Sequence, residues 1–255
     1  MLDFLKETIK EAGYLAKGFY IRGVKSSVKS APFDLLTEAD LAVEKFLVDK
    51  IKEQYPAHGI ISEETAEEHN PGAEYTWVID PIDGTRNFAK HIAVWCTMVG
   101  LTKNGKPYLG AIYDAMNDEL FYAQAGKGAF LNDKPIKVDT YNDVENCFLM
   151  FSAGEAKNNP KKYKSYIRFH NNLQGEKGHW VHNYGTMLSL CHLAAGRIDA
   201  VVCNGGYYHD YLAGYVIATE ACARWTNSMG GVWKRGEMDI VVANPKLHKK
   251  LLKLF

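Results

Sequence analysis

The chain has 255 residues, of which 47% are hydrophobic and 24% are charged, and this composition suits a compact globular protein with a sizeable core. Its 30 Lys and Arg residues balance 30 Asp and Glu residues, so the formal net charge is zero. A neutral chain gives no electrostatic reason to expect nucleic acid or an anionic membrane as its main partner.

The N-terminus and the cysteines both predict a cytoplasmic protein. The stretch MLDFLKETIKEAGYLAKG predicts an amphipathic helix and lacks the unbroken apolar region of a signal peptide. No stretch approaches the roughly 20 apolar residues that span a membrane. The five cysteines are scattered and include no C-x-x-C pair, which indicates buried free thiols in a reducing compartment.

The next elements are a helix and a run of strands. Thr37 can cap a second helix, DLAVEKFLVDKIKEQY, because it precedes a run with helical periodicity. The apolar residues that recur at helical spacing are Leu41, Phe46, Leu47 and Ile51. The segments HGIISEE and YTWVID predict strands, and residues 92–138 predict antiparallel sheet interrupted by Asn-Gly, Met-Asn-Asp and Gly-Lys-Gly turns.

The second half of the chain has a mixed α/β pattern. A buried strand, ENCFLMFSA, precedes a polar segment over residues 155–179. A helix that ends at Gly196, a strand over residues 198–202, a helix in DYLAGYVIATEACA and a strand in MDIVVAN follow. We therefore predict two halves, residues 1–145 and 146–255, with the polar stretch near 155–175 as the candidate boundary.

The stretch WVIDPIDGTRNF places two aspartates three residues apart, directly after an apolar run. Pro81 favours extended backbone at Asp80 and then turns the chain, so Asp80 and Asp83 can point into one volume. Because like charges repel at this distance, a positive charge between them is expected. These carboxylates and the amides of Gly84 and Thr85, at a predicted helix start, suit a Mg²⁺-bound phosphate. The alternative is a tight turn with a self-capping Asp.

Further acidic residues lie where predicted elements begin or end. Glu63 and Glu64 end an apolar strand in ISEE, Asp210 opens a helix in HDYLAG, and Asp40 follows LLTEA near the start of the second helix. Each of them alone fits a solvated or capping carboxylate. Together they fit a metal site assembled from distant segments.

The stretches DLLTEAD, ISEE, WVIDPIDGTRNF and DYLAG…TEA, in this order and spacing, closely resemble the inositol monophosphatase family. The resemblance covers nearly the whole chain, although the family usually has W-D-x-A-A-G where this chain has HDYLAG. It implies an α+β fold, a layered α-β-α-β-α sandwich that is usually dimeric. It also implies a phosphomonoesterase with two or three Mg²⁺ ions that activates water to attack a small polyol or sugar phosphate. The expected partners are this phosphate ester and a second copy of the chain, with no membrane or nucleic acid.

The resemblance assigns metal ligands by position. Glu63, Asp80 and the main-chain carbonyl of Ile82 match the first metal position, and Asp80, Asp83 and Asp210 match the second.

The resemblance also assigns catalytic and phosphate-binding positions. Thr85 and Asp40 match the pair that polarises the attacking water, sometimes helped by Glu63. The Thr85 hydroxyl would orient the water and pass a proton towards Asp40, without a covalent phosphoenzyme. Lys29 falls where the family carries a lysine on a mobile loop near the site. The predicted substrate- and phosphate-binding set is Lys29, Asp83, Gly84, Thr85 and Asp210.

Several positions on the substrate side depart from the family pattern. Arg86 replaces the second Thr of G-T-T-N; it either holds a second anionic group or is a surface or dimer-interface residue, and we favour the latter. Cys203 aligns with a glutamate of inositol-specific members, and HNYGTML lacks the family's arginine. The aromatic residues that either line a ring pocket or belong to the core or an interface are Tyr184, Tyr207, Tyr208 and His209.

These departures leave the substrate open. Myo-inositol monophosphate is the first expectation, and histidinol phosphate or fructose 1,6-bisphosphate are the alternatives, because histidinol-phosphate phosphatases of the superfamily share the D-P-I-D-G-T-R and D-Y-x-A strings. A different class of function is a regulatory, protein-binding scaffold. A protein with that role alone would be expected to have lost metal ligands, whereas the acidic residues that match the metal positions are all present.

Overall fold

The computed structural model describes residues 1–28, 35–65, 68–154, 159–174 and 180–255. The helices in these ranges are α1 Leu2–Arg22, α2 Glu38–Gln54, α3 Thr85–Ala89, α4 Pro160–Gln174, α5 Leu188–Ala194, α6 Tyr208–Glu220 and α7 Pro245–Leu251. A 3₁₀ turn, Leu252–Leu254, follows α7. None of the described helices is both long and apolar enough to cross a membrane.

The described strands form one hairpin and two large sheets. The hairpin pairs β1 Ser26–Val28 with β2 Leu35–Thr37. The first sheet has the order β3 Gly59–Ser62, β4 Tyr75–Asp83, β5 Cys96–Lys103, β6 Lys106–Asp114, β7 Glu119–Gln124, β8 Ala129–Leu131 and β9 Lys134–Ile136. The second has the order β11 Trp180–His182, β10 Phe148–Ala153, β12 Ala200–Asn204, β14 Asp239–Ala243 and β13 Arg224–Thr226. Among the strand pairs described in the first sheet, β3–β4 is the parallel one and the others are antiparallel, which agrees with the antiparallel pattern predicted for residues 92–138.

Helices cover both faces of each large sheet, so the fold is a mixed α/β sandwich of five layers. Helices α1 and α2 pack on one face of the first sheet, and α6 packs on the other. The second sheet is covered by α5 and α6 on its inner face and by α4 and α7 on its outer face. In β12, Val201 and Cys203 point inward, whereas Ala200 and Val202 point outward, as the period of two in a strand requires. The predicted α-β-α-β-α sandwich is confirmed.

The described structure corrects three details of the sequence interpretation. Leu41 is 52% exposed, because the buried face of α2 carries the carboxylates of Asp40 and Glu44 beside its apolar residues. Cys222 is exposed, unlike the other four cysteines. The polar segment contains α4, whose buried residues cover the outer face of the second sheet. The division into residues 1–145 and 146–255 stays a prediction.

We expect a pH-dependent contribution to stability from His248, a buried residue of α7. Its Nε2 lies 2.9 Å from Thr226 Oγ1, and burial, aided by the charge of Arg224, lowers its pKa from 6.5 to about 4. Because the unfolded chain takes up the proton at higher pH, this contribution is complete above pH 6.5 and is lost as the pH falls towards 4. The free energy of unfolding of the wild type relative to His248→Gln should therefore fall by on the order of 2 kcal/mol between pH 7 and pH 4.5. Urea titrations of both proteins test this, and a difference independent of pH would contradict it.

Candidate metal and phosphate site

A β-bulge in β4 brings Asp80 and Asp83 to one side of the strand. Asp80 pairs with Met98 of β5 and Asp83 pairs with Cys96, so three steps along β4 match two along β5. Residues three apart in a regular strand point to opposite faces. The extra residue of the bulge allows Asp80 and Asp83 to point to the same face. Pro81 lies within the bulge, where its missing N–H breaks no regular ladder bond. The sequence predicted the convergence of the two carboxylates through a proline turn, and the structure achieves it by a bulge.

The third carboxylate of the cluster comes from the start of α6. Asp210 lies in the first turn of this helix, where one of its oxygens accepts a hydrogen bond from the backbone N–H of Tyr207. Asp80, Asp83 and Asp210 each offer an oxygen, and these oxygens all lie within 4.8 Å of one another. The structure thus brings together three aspartates that the sequence places on two distant segments.

The electrostatics of this cluster oppose ionisation of its own carboxyl groups. Burial, followed by the charges of Glu63, Asp83 and Asp210, raises the pKa of Asp80 well above its usual range. Burial, then the charge of Asp210, raises the pKa of Asp83 from 3.8 to about 7. Burial is also the main cause that raises the pKa of Asp210 to about 7. A cation in this position would reverse all three shifts.

The donor set of the cluster fits a hard divalent cation. All of its ligand atoms are carboxylate oxygens, which Mg²⁺ prefers. Asp80 Oδ1 is buried and has no hydrogen-bond partner, a costly state for a carboxylate oxygen unless a cation satisfies it.

Hydrogen bonds orient the carboxylate of Asp83, and two of the three donors come from residues just before α5. Its Oδ2 accepts from the hydroxyl of Thr186, from Met187 N at 2.5 Å and from Cys96 Sγ at 3.4 Å. Its Oδ1 is therefore left for the cluster. This function of Thr186 was missed from the sequence, where HNYGTML was considered only as a departure on the substrate side. The Gly-Thr pair at the start of α5 was the available signal.

Asp40 and Thr85, predicted as a pair, lie beside the cluster. Asp40 Oδ2 accepts from Thr37 N at 2.8 Å and from Thr37 Oγ1 at 2.5 Å, which confirms Thr37 as the N-cap of α2. The other oxygen of Asp40 lies 3.4 Å from Thr85 Oγ1, and this hydroxyl also donates to the carbonyl of Ile82 at 3.0 Å. The single hydrogen of the Thr85 hydroxyl can be donated to only one of these two acceptors at a time.

Gly84 connects the bulge to α3 and requires glycine. Its φ of +92° lies in the left-handed region, and a Cβ there would lie 3.2 Å from Val94 O and 3.3 Å from Thr186 Cβ. Because β4 ends at Asp83 and α3 starts at Thr85, this single residue makes the whole turn between them.

A cleft of about 530 Å³ opens next to the cluster. Its lining residues are Leu35, Glu63, Gly84, Thr85, Arg86, Asn87, Asn183, Tyr184 and Gly185. Arg86 is exposed on the wall of this cleft, and Tyr184 also lines it. Lys29, predicted to reach the phosphate, lies outside the described residues.

The other residues considered for the substrate side have different surroundings. Cys203 is buried, and its Sγ accepts a hydrogen bond from the Tyr211 hydroxyl at 3.4 Å. The ring of Tyr208 stacks on Trp233, while Tyr207 is 58% exposed beside His209. Of the four aromatic residues, Tyr184 is the one that lines the cleft just described.

Comparison with known proteins agrees with this geometry. The model of the inositol monophosphatase family matches residues 1–255, the whole chain. The chain belongs to the inositol monophosphatase family. Members of this family are metal-dependent, which agrees with the carboxylate cluster.

Individual proteins match this chain over nearly their full length. The inositol-1-monophosphatase of Bacillus subtilis (strain 168) is 32% identical over 253 residues, which cover 98% of this chain and 94% of that protein. The Nus factor SuhB of Escherichia coli (strain K12) is 30% identical over 257 residues, with 99% and 94% covered. The solved structure of the inositol monophosphatase from Anabaena (Nostoc) sp. PCC 7120 superimposes with a TM-score of 0.85 at 30% identity, covering 99% of this chain and 94% of the other.

Proposed function

We propose that the protein is a Mg²⁺-dependent phosphomonoesterase that hydrolyses a small polyol or sugar phosphate, with myo-inositol monophosphate as the first candidate. The observation that carries the proposal is the convergence of Asp80, Asp83 and Asp210, with one buried carboxylate oxygen that lacks a partner. Buried, mutually repelling carboxylates beside an open cleft destabilise a protein unless they bind a cation, and family membership makes a phosphate ester the natural ligand.

The family resemblance assigns the residues that would hold two or three Mg²⁺ ions, and the cluster of Asp80, Asp83 and Asp210 supports the assignment. Glu63, Asp80 and the carbonyl of Ile82 would supply one position, and Asp80, Asp83 and Asp210 would supply another. Glu63 supports this assignment because it lines the cleft and its charge raises the pKa of Asp80. Bound Mg²⁺ would neutralise the phosphate and lower the pKa of water.

Thr85 and Asp40 would prepare water for attack on the phosphorus. The Thr85 hydroxyl is too weak an acid and base to act alone, so its function would be to orient the water and pass a proton towards Asp40. Asp40 is buried and already accepts hydrogen bonds from Thr37, which holds its second oxygen in place. Lys29 and the amides of Gly84 and Thr85 would contact the phosphate, which needs no covalent bond to the protein.

The walls of the cleft bear on the choice of substrate. The name of the Bacillus subtilis relative favours inositol 1-phosphate. Arg86 and Tyr184 on the cleft wall keep histidinol phosphate and fructose 1,6-bisphosphate as alternatives, because a guanidinium and an aromatic ring suit a second anion or a planar group. The proposal also includes a cytoplasmic location, which the N-terminus and the cysteines predict, and a homodimer, which the family resemblance suggests.

A second candidate function is regulatory binding to a protein partner. It rests on one observation, the 30% identity to an Escherichia coli relative named as a Nus factor. The complete set of acidic residues argues against a scaffold without catalysis, because a protein retained only for binding has no need of a costly buried carboxylate cluster.

We expect Mg²⁺-dependent release of inorganic phosphate from one member of a substrate panel. The panel contains inositol 1-phosphate, histidinol phosphate, fructose 1,6-bisphosphate and 3′-phosphoadenosine 5′-phosphate, each assayed with Mg²⁺ and with EDTA. A preferred substrate hydrolysed only with Mg²⁺ supports the enzyme and identifies its specificity. Release that is equal with EDTA would contradict the Mg²⁺ requirement. No release from any of the four compounds would mean that the site serves another phosphate ester or that the protein is used for binding.

A further inference from the structure

Helix α2 carries a second buried carboxylate, one turn beyond Asp40. Glu44 is 6% exposed and lies on the same face of the helix as Asp40. This residue was not singled out from the sequence. A buried carboxylate is costly unless hydrogen bonds satisfy it, so its partners indicate why it is there.

The hydrogen bonds of Glu44 converge on the segment that follows β3. Its Oε2 accepts from Ser62 Oγ at 2.6 Å and from Glu64 N at 3.0 Å, and its Oε1 accepts from the Thr65 hydroxyl. All three are neutral donors rather than the cations of an ion pair. Two of them belong to the residues immediately before and after Glu63.

Glu63 leaves the sheet at this point. Its own N–H makes the bond to Ile79 O at 3.1 Å, one residue beyond the end of β3. Beyond Glu63 the chain no longer pairs with β4. The backbone N–H of Glu64 donates instead to Glu44, and this hydrogen bond orients the chain as it leaves the sheet. The charge of Glu63 adds to those of Asp80 and Asp210, so without a tether repulsion would favour its movement towards solvent.

We infer that Glu44 is a positioning residue that holds Glu63 at the metal site. The inference rests on the proposed function, because it takes Glu63 as a ligand. Glu44 itself does not touch the ion; it holds the Ser62 hydroxyl before, and the Glu64 backbone N–H after, a ligand whose own charge opposes its placement. Helix α2 would then organise two parts of the site, the water-polarising Asp40 and, through Glu44, the segment of Glu63. Mutation of a residue that orients a metal ligand without touching the metal commonly weakens metal binding by about 10–100-fold.

The test uses Glu44→Gln, which keeps the shape of the side chain but turns an NH₂ group towards donors. Mg²⁺ binding to the metal-free protein is measured by titration calorimetry and by the midpoint of the Mg²⁺-induced rise in melting temperature. We expect affinity to fall by about 10-fold or more, with kcat largely recovered at saturating Mg²⁺. Glu53→Gln, an exposed glutamate of the same helix, is the matched control and should bind Mg²⁺ like the wild type.

The possible outcomes separate the inference from the proposed function. If the wild type binds no Mg²⁺, the proposed function fails. If the wild type binds it and Glu44→Gln binds equally well, Glu44 is merely structural and the inference is overturned. If Glu44→Gln melts at a lower temperature than the wild type but binds Mg²⁺ with the same affinity, the inference is likewise overturned. Should Glu44→Gln not fold, Ser62→Ala removes one bond beside Glu63; several-fold weaker Mg²⁺ binding then supports the inference, and unchanged binding overturns it.

Discussion

Replacement of Asp83 by Asn should reduce phosphate release by about 10³-fold or more while leaving the protein folded. The expected loss follows from the donors around this side chain. Thr186, Met187 and Cys96 all donate to Oδ2, so the Asn oxygen will take that position and its NH₂ group will face the cluster. An NH₂ group cannot serve as a ligand for Mg²⁺.

The same variant should make the metal-free protein more stable at neutral and higher pH. The pKa of Asp83 is about 7 in the folded protein against 3.8 in the unfolded chain, so ionisation destabilises the fold as the pH rises above 3.8, and fully above 7. Asp83→Asn removes this cost, and its advantage should disappear towards pH 4. Melting curves with EDTA and with Mg²⁺ test both points, because Mg²⁺ should stabilise only the wild type strongly.

Asp49→Asn is the matched control, since Asp49 is an exposed partner of Lys45 on the surface of α2. It should retain wild-type turnover and the wild-type response to Mg²⁺. Near-wild-type phosphatase activity in Asp83→Asn would show that the assignment of the metal site is wrong. A metal-free variant that melts below the wild type at pH 8 would contradict the electrostatic argument.

Replacement of Gly110 by Ala should destabilise the fold by about 2–3 kcal/mol and weaken Mg²⁺ binding. Gly110 lies in β6 under α6, where a Cβ would approach Ala213 O to 2.4 Å and Ala213 Cα to 3.0 Å. These are backbone atoms, so the helix itself must move away from the sheet. Because Asp210 lies in the first turn of α6, this movement separates it from Asp80 and Asp83.

Gly18→Ala provides the control for the glycine substitution. Gly18 is exposed within α1, and a Cβ there meets no heavy atom within 4 Å, so the change should stabilise the protein by about 0.5–1 kcal/mol. Urea unfolding gives the stability of both variants, and a Mg²⁺ titration of the melting temperature gives the metal affinity. A Gly110→Ala protein with wild-type values in both measurements would show that α6 can adapt without moving the site.

The sequence alone determined the elements whose pattern is local. Periodicity and turn residues can be recognised in the sequence without knowledge of the fold. They predicted the N-terminal helix, the Thr37 cap and the antiparallel run over residues 92–138. The family could also be recognised, because the motif WVIDPIDGTRNF is long and specific. Helix α4 was missed because its 15 residues are mostly polar, and only the second sheet shows which of them are buried.

Only the tertiary structure decided how the site is held together. Contacts such as that of Thr186 with Asp83, 103 residues apart, or of Glu44 with Ser62, 18 residues apart, leave no periodic signal in the chain. The bulge at Pro81 likewise depends on the register between β4 and β5. Local pattern specifies helices and strands because it reflects backbone geometry within a few residues. The orientation of a carboxylate depends on donors that approach from other layers, and these are specified only when the layers pack.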